Sequence, residues 1–201
     1  MKLLALTLLL VSSAAAFAQD SKPPLVEPGK LVAEPDLKSP LPEEWAVQKG
    51  TWEVKDGELV VTDIPEQHHG PVLWHKVSLA SGIVECEFKL DGANNFILGC
   101  DGAKHIGRVT IGKKGFKVQE DSSEIKGKQP GATLAEAPLD LKQGEWYKVR
   151  YEWTGDKMAA TLQGKTIQGS HPTLSQKRSR WWFAAGGPKL EIRNVKVWEG
   201  K

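Results

Sequence analysis

Three carboxylates near the middle of the chain have the spacing of a reactive cluster. Glu85 and Glu87 are two residues apart in the stretch GIVECEFKL, so both side chains point to one face of a β-strand. If residues 91–95 form a hairpin loop, Gly99 lies opposite Glu87 and Asp101 lies opposite Glu85. Glycosidases use paired carboxylates with separated pKa values, and like charges this close raise one of them. The pattern predicts these three acids as catalytic, with Glu87 favoured because the bare Gly99 leaves room for substrate.

Two other interpretations of these acids remain open. They could form a solvated strand face with Lys89 as counter-charge, or bind Ca²⁺, since three carboxylates suit a hard cation. The sequence contains no calcium-loop motif, and its five histidines lack the spacing of zinc ligands. We therefore expect no cofactor and no metal site.

The same register predicts a disulfide. The two cysteines of the chain, Cys86 and Cys100, fall opposite each other on the two strands. Directly opposed residues of antiparallel strands come within disulfide reach, and an oxidising compartment allows the bond to form. The alternative is a pair of small, buried thiols that stay reduced.

An aromatic pair near the C-terminal end predicts a sugar-binding surface. In SQKRSRWWF, strand alternation sends Trp181 and Phe183 to one face and Trp182 to the other. If Trp181 and Phe183 join the core, Trp182 lies on the outer surface of the sheet. An exposed ring of this kind can stack on the apolar face of a sugar. The basic residues before it are expected on a loop, as a solvated edge.

His105, Arg108 and Glu120 complete the candidate substrate-binding set. His105 and Arg108 lie close together in KHIGRV, and an arginine can clamp hydroxyls or a carboxylate with two hydrogen bonds. The alternative is a loop histidine beside a surface arginine. Glu120 ends the segment GFKVQE and is a further candidate acid.

Short β-strands must hold all of these residues in place. Nearly every segment between residues 45 and 198 alternates polar and apolar residues with period two, and no long helical period occurs. In TWEVKDGELVV, Asp56 and Gly57 supply the backbone conformation of a tight hairpin turn. Many short strands at this spacing predict an all-β sandwich.

Three stretches of the chain resemble a known family. They are W…GTWEVKDGELVVT, GEWYKVRYEWTGDKMAATLQGKTI and LEIRNVKVWEG, and the resemblance covers residues 43 to 199. The family is that of secreted bacterial 3-keto-disaccharide (3-keto-glycoside) hydrolases, which is loosely related to glycoside hydrolase family 16. The resemblance implies a concanavalin-like jelly roll of two antiparallel sheets and hydrolysis of 3-keto-glycosides. Family 16 enzymes also hold their catalytic acids at alternating positions of one strand.

The first forty residues predict export and a tether. Lys2, an apolar run over residues 3–11 and the sequence Ala16-Phe17-Ala18 have the form of a secretory signal peptide, with cleavage after Ala18. We therefore expect a secreted or periplasmic protein. Residues 19–42 contain six of the twelve prolines, which favours an extended tether before a single sandwich domain at residues 43–201.

Charge and length limit the partners. The 27 basic and 25 acidic residues leave a formal charge of +2, too small a field to steer polyanions such as nucleic acids. The N-terminal apolar run is shorter than the roughly 20 residues of a membrane span. Trp182 and the family resemblance imply a carbohydrate partner, and we expect a monomer. Two functions remain: a hydrolase of 3-keto-glycosides or related glycosides, and a non-catalytic carbohydrate-binding or structural module.

Overall fold

A computed structural model describes residues 23–121 and 131–201, which leaves the predicted signal peptide and its cleavage site outside the described residues. This part of the chain forms fifteen strands and two short 3₁₀ helices, at Pro65–Gln67 and Pro172–Ser175. None of its helices is long and apolar enough to cross a membrane. The strands are β1 (Pro28–Ala33), β2 (Trp45–Lys49), β3 (Thr51–Lys55), β4 (Glu58–Thr62), β5 (Val72–His75), β6 (Ser81–Leu90), β7 (Asn95–Asp101), β8 (His105–Gly112), β9 (Gly115–Glu120), β10 (Thr133–Pro138), β11 (Trp146–Thr154), β12 (Lys157–Leu162), β13 (Lys165–Ser170), β14 (Arg180–Gly186) and β15 (Lys189–Gly200).

Two antiparallel sheets pack face to face. Sheet I has the order β13-β12-β11-β6-β15-β4-β3, and β1 also pairs with β15. Sheet II has the order β10-β9-β8-β7-β14-β5-β2. The prediction of an all-β jelly-roll sandwich is confirmed.

The hydrophobic core lies between the two sheets. Apolar residues at every second strand position point inward, which is the arrangement that the period-two pattern predicts. Trp181 and Phe183 belong to this core, and both are essentially fully buried. Their predicted inward direction is therefore correct.

The predicted pairing of β6 with β7 is wrong. Residues 91–94 carry the chain from sheet I to sheet II instead of turning a hairpin, so β6 pairs with β11 and β15 while β7 pairs with β8 and β14. Phe88 and Phe96 contact each other across the core, with ring centroids 5.1 Å apart. A hairpin and a crossover bury the same alternate residues, which is why the sequence pattern could not separate them.

The two cysteines are free thiols. Cys86 in sheet I lies opposite Val149, whereas Cys100 in sheet II lies opposite Trp181. Both are buried in the core, and burial raises the pKa of both thiols. The predicted disulfide between strand neighbours is therefore absent from the structure, because its register depended on the hairpin.

Part of the proline-rich segment belongs to sheet I. Strand β1 pairs with the end of β15, and the buried Val26 precedes it. The backbone N–H of Val26 donates to Glu152 Oε1 at 3.1 Å, and Arg150 Nη2 donates to the Val26 carbonyl at 2.8 Å. These hydrogen bonds fix the segment to the outer face of sheet I.

Candidate functional site

The three predicted catalytic acids do not share a face. Glu85 and Glu87 lie on the outer face of sheet I, where their neighbours are on β11 and β15. Asp101 lies in β7, and its side chain is on the outer face of sheet II, on the other side of the sandwich. The prediction that they form one cluster is therefore wrong, for the same reason that the hairpin register is wrong.

Each glutamate of sheet I is neutralised by cations. Glu85 accepts from Lys148 at 2.8 Å and from Arg150 at 2.9 Å, while Glu87 accepts from Arg193 Nε at 2.8 Å. Burial favours a higher pKa for Glu85, but the hydrogen bonds from Lys148 and Arg150 outweigh it and lower the pKa. The hydrogen bond from Arg193 lowers the pKa of Glu87. A carboxyl pKa raised by like charges, as predicted, is not found in this pair.

Glu120 is buried between the sheets instead of facing a binding surface. Its side chain is 0% exposed and accepts from Thr173 Oγ1 at 3.0 Å and from the backbone N–H of Ala132 at 3.1 Å. These contacts fasten the second 3₁₀ helix and the start of the β10 segment to β9. The predicted role of Glu120 in binding substrate is not supported by this position.

Asp101 organises the outer face of sheet II. Its Oδ1 accepts from Trp182 Nε1 at 2.7 Å and from His105 Nδ1 at 2.8 Å. Its Oδ2 accepts from Arg180 through Nε at 3.1 Å and Nη2 at 3.0 Å. A buried carboxylate is stable when several donors surround it, and Asp101 is 1% exposed. One carboxylate therefore fixes the orientation of three side chains that come from two strands.

His105 is held in one tautomer. Because its Nδ1 donates to Asp101, the neutral ring presents Nε2 as an acceptor. The hydrogen bond to Asp101 raises the pKa of His105, although burial opposes the rise. The side chain is 58% exposed, so Nε2 is accessible to a ligand.

Trp182 lies on the outer face of sheet II, as predicted, but its ring is not an open platform. It is 5% exposed against 1% for Trp181. The indole lies across Gly99 on the neighbouring strand, and a Cβ at position 99 would overlap it. The glycine that was expected to leave space for substrate leaves space for the indole. The ring therefore forms the floor of the surface.

A second tryptophan continues this floor. Trp74 of β5 is directly opposite Trp182, so the two side chains share a face. The guanidinium of Arg180 lies over the Trp74 ring, with its carbon 3.9 Å from the ring centroid. This is a cation–π contact, and it occupies one side of the ring.

Arg108 faces the same surface from β8. It lies opposite Gly99, and its Nη2 is 3.3 Å from Oδ1 of the buried Asp121. The guanidinium has five N–H donors in a fixed fork, so one ion pair leaves others for a ligand.

These side chains surround a groove of about 580 Å³, here called the central groove. Its floor is apolar, and its rim carries amide, imidazole and cationic groups. Among the described residues that line it, there is no carboxylate. The lining residues are Gln48, Lys49, His69, Gly70, Val72, Trp74, Asn95, Ile97, His105, Arg108, Trp182, Ala184, Ala185 and Gly186.

A second groove, here called the lysine groove, lies on the β8–β10 side of sheet II. Its volume is about 600 Å³. The lining residues are Asn94, Thr110, Gly112, Lys113, Lys114, Gly115, Phe116, Lys117, Glu136, Ala137 and Pro138. Within residues 23–121 and 131–201, no group of three or more His, Cys, Asp or Glu side chains could hold a metal ion.

The structure thus brings together four of the predicted site residues and separates the others. Asp101, His105, Arg108 and Trp182 meet on sheet II, whereas the two sheet I glutamates and Glu120 lie elsewhere. Sequence analysis missed Trp74, Asn95, Lys49 and His69 of the central groove. It also placed Arg180 on a loop, although its spacing from Trp182 puts both on one face of β14.

Comparison with known proteins defines the class of fold. No protein-family model and no curated protein matches the chain. The carbohydrate-binding module CBM66 from Bacillus subtilis is 13% identical, with a TM-score of 0.63 over 77% of this chain and 95% of that one. A non-specific endo-β-1,3(4)-glucanase of family GH16 is 13% identical, with a TM-score of 0.61 over 88% and 95%.

A third solved structure, the Crh5 transglycosylase in complex with NAG, is 12% identical. Its TM-score is 0.62, and the match covers 90% of this chain and 88% of that one. At such identities the likeness establishes the fold alone. The protein is a jelly-roll β-sandwich of the type that these proteins share.

Proposed function

We propose that the domain binds carbohydrate in the central groove. The observation that carries the proposal is the composition of this groove: an apolar tryptophan floor, a rim of fixed hydrogen-bond donors and acceptors, and no carboxylate among the described lining residues. Sugar sites combine an apolar surface with a few well-placed polar groups in this way. Classical glycoside hydrolysis needs two carboxylates beside the scissile bond, about 5 to 10 Å apart. The lining that the described residues form contains no such pair, so its composition favours binding.

The rim is suited to hydroxyl groups because its polar atoms are held in place before a ligand arrives. Asp101 fixes the ring of His105, and Asp121 holds one side of the Arg108 guanidinium. Asn95 adds a side-chain amide to the lining. Pre-oriented groups lose little conformational entropy on binding, which raises affinity.

The three fold relatives described above support this proposal. One of them is a carbohydrate-binding module, one is a glucanase and one is a transglycosylase. They make carbohydrate the first class of ligand to test.

Two matched tryptophans provide the test. Trp74 on sheet II and Trp146 on sheet I each carry an arginine guanidinium, at 3.9 Å and 4.0 Å from the ring centroid. We expect Trp74→Ala to weaken glycan binding at least tenfold, because the loss of a binding-site aromatic costs more than about 1.4 kcal/mol. Trp146→Ala should bind normally, because its ring is on the opposite face.

The measurement is a glycan-array screen of the wild-type protein, followed by calorimetric titration of both variants with the best ligand. Circular dichroism and a thermal melt check that each variant is folded. Equal affinity of the two variants would place the site outside the central groove. Binding of no glycan by the wild-type protein would overturn the proposal.

A second candidate function is the cleavage of 3-keto-glycosides, and it depends on the hydrogen bond between His105 and Asp101. A ketone at C3 of a sugar acidifies the hydrogen at C2. The free Nε2 of His105 could take this proton as a general base, with Asp101 stabilising the imidazolium that forms. The C2–H electrons then form the C1–C2 double bond, and the C1–O bond breaks with its electrons on the departing oxygen. That oxygen takes up a proton, and addition of water across C1–C2 completes the hydrolysis.

Deuterium exchange distinguishes this reaction from carboxylate-based hydrolysis. A 3-keto-glucoside incubated in D₂O should gain deuterium at C2 with the wild-type protein and lose that gain with His105→Gln. Glu87→Gln is the control. Glu87 lies on sheet I, where it is bound to Arg193, so this substitution should leave turnover unchanged. Loss of turnover in Glu87→Gln, with a normal His105→Gln, would assign catalysis to sheet I.

A further inference from the structure

The aromatic floor of sheet II is largely covered by the protein itself. Trp182 is 5% exposed, and the guanidinium of Arg180 occupies one side of the Trp74 ring. Neutral sugars are commonly held by stacking on an open aromatic face. Stacking is therefore limited to the partly exposed Trp74, and polar side chains on the rim must supply the rest of the binding energy.

The charged side chains of the two grooves are mainly cationic. Lys49 and Arg108 line the central groove, and Lys113, Lys114 and Lys117 line the lysine groove. Three carboxylates near these grooves are buried or engaged: Asp101 and Asp121 are 1% and 3% exposed and bind arginines, and Asp140 binds Lys114. Glu136 is the single carboxylate that the described residues contribute to the two linings. A ligand on this face therefore meets more positive than negative groups.

The two grooves adjoin. Asn94 lines the lysine groove, and the next residue, Asn95, lines the central groove. Thr110 of the lysine groove lies opposite Ile97 of the central groove on the neighbouring strand. The surface crosses the seven strands of sheet II from β2 to β10, which are about 4.8 Å apart, so it is roughly 29 Å wide. A polymer fits this width better than a monosaccharide does.

We infer that the ligand of this surface is an anionic polysaccharide, with carboxylate or sulfate groups at repeating positions along the chain. The inference rests on the proposed carbohydrate-binding function and specifies its ligand class. The arginine fork and the lysine ammonium groups form charge-assisted hydrogen bonds with such anions. A polymer that runs from the central groove to the lysine groove contacts both sets of cations.

Chemically matched polymers test the inference. Polygalacturonate and its methyl ester have the same backbone, and dextran sulfate and dextran differ only in the sulfate groups. We expect affinity for polygalacturonate, or for dextran sulfate, to exceed that for its neutral counterpart by about tenfold or more, because hydrogen bonds to charged groups are the stronger kind. The polyanion that binds with the higher affinity shows whether the surface prefers carboxylate or sulfate groups. Raising NaCl to about 0.3 M should reduce this preference.

Charge-removing variants locate the effect. Arg108→Gln and Lys117→Gln should each reduce the preference for the anionic polymer, whereas Lys55→Gln should not, since Lys55 is exposed at the end of β3 in sheet I. A thermal melt confirms that each variant is folded. Titration by calorimetry gives the affinities.

Different binding results would overturn the charge inference alone or both proposals together. If neutral and anionic polymers bind equally and Trp74→Ala weakens both, the carbohydrate function stands and the charge inference is overturned. If single-stranded DNA binds as tightly as the anionic polysaccharides, the surface is a general polyanion binder and the inference also fails. If none of the polymers or array glycans binds, both proposals fail.

Discussion

The substitution Asp101→Asn is the most direct test of how the sheet II surface is organised. Asp101 accepts hydrogen bonds from Trp182, His105 and Arg180, and it supplies the charge that balances the guanidinium. An asparagine keeps the volume and one acceptor oxygen. Its amide group, however, would place an N–H against a donor and would leave Arg180 without a counter-charge.

The expected cost follows from burial. Removal of one partner from a buried ion pair costs about 3 to 5 kcal/mol. Asp101 is buried, but the side chain of Arg180 is 28% exposed and can gain some hydration. We therefore expect the free energy of unfolding to fall by about 3 kcal/mol, at the lower end of that range. For a chain of this size this corresponds to a fall in Tm of about 6 to 12 °C.

Urea denaturation measures the loss of stability, and an NMR titration of His105 provides a second readout. The hydrogen bond to Asp101 is the main reason why the pKa of His105 is raised, so the variant should return that pKa towards its usual value. Asp140→Asn is the matched control, because the Asp140–Lys114 pair is highly exposed and screened by solvent and should contribute little to stability. If Asp101→Asn costs no more than this control and leaves the His105 titration unchanged, Asp101 does not organise the site.

Three further predictions concern the core and the groove floor. Burial lowers the pKa of His75 in the folded protein. Below pH about 6.5 the unfolded chain therefore binds a proton more readily than the folded chain, and the free energy of unfolding should fall as the pH falls. Urea titrations should show this fall in the wild type and lose the His75 contribution in His75→Phe. Trp182→Phe should keep the fold but lose the hydrogen bond to Asp101, which should lower the free energy of unfolding by about 1.5 to 3 kcal/mol. A thermal melt measures the change, and a loss near zero would show that this hydrogen bond does not stabilise the protein. Cys86 and Cys100 should be unreactive towards a thiol reagent in the native state and both reactive in urea without reductant, whereas no reaction in urea would indicate a disulfide.

The fold could be predicted because its signal is repeated along the whole chain. Most strands between residues 45 and 198 alternate with period two, and the alternation at Trp181 and Phe183 correctly identified core residues. The pairing of strands had no such signal. A four-residue link after Leu90 serves equally as a hairpin loop or as a crossover between sheets, since both bury Phe88 and Phe96. The error in the register then removed the predicted disulfide and the predicted cluster of acids together.

The site was predicted only where chemistry and alternation agreed. Trp182, His105 and Arg108 were selected for their side-chain chemistry, and all three lie on the surface of sheet II. The role of Asp101 as the common acceptor could not be inferred, because it depends on β14 lying beside β7, far away in sequence. Trp74 was missed for the same reason, since β5 reaches this surface only by pairing with β14.

The outer face of sheet I shows why sheet II is the better candidate. Both faces carry a tryptophan under an arginine, but on sheet I the Trp146 ring also has the Lys89 ammonium 4.9 Å from its centroid. Its glutamates are bound by cations, and the hollow beside Glu85 is only about 270 Å³, less than half the central groove. Part of this face is also covered by the segment at Val26. The glutamates Glu85 and Glu87 of sheet I are thus neutralised within the protein, whereas sheet II buries Asp101 and Asp121 beside arginines that remain partly exposed.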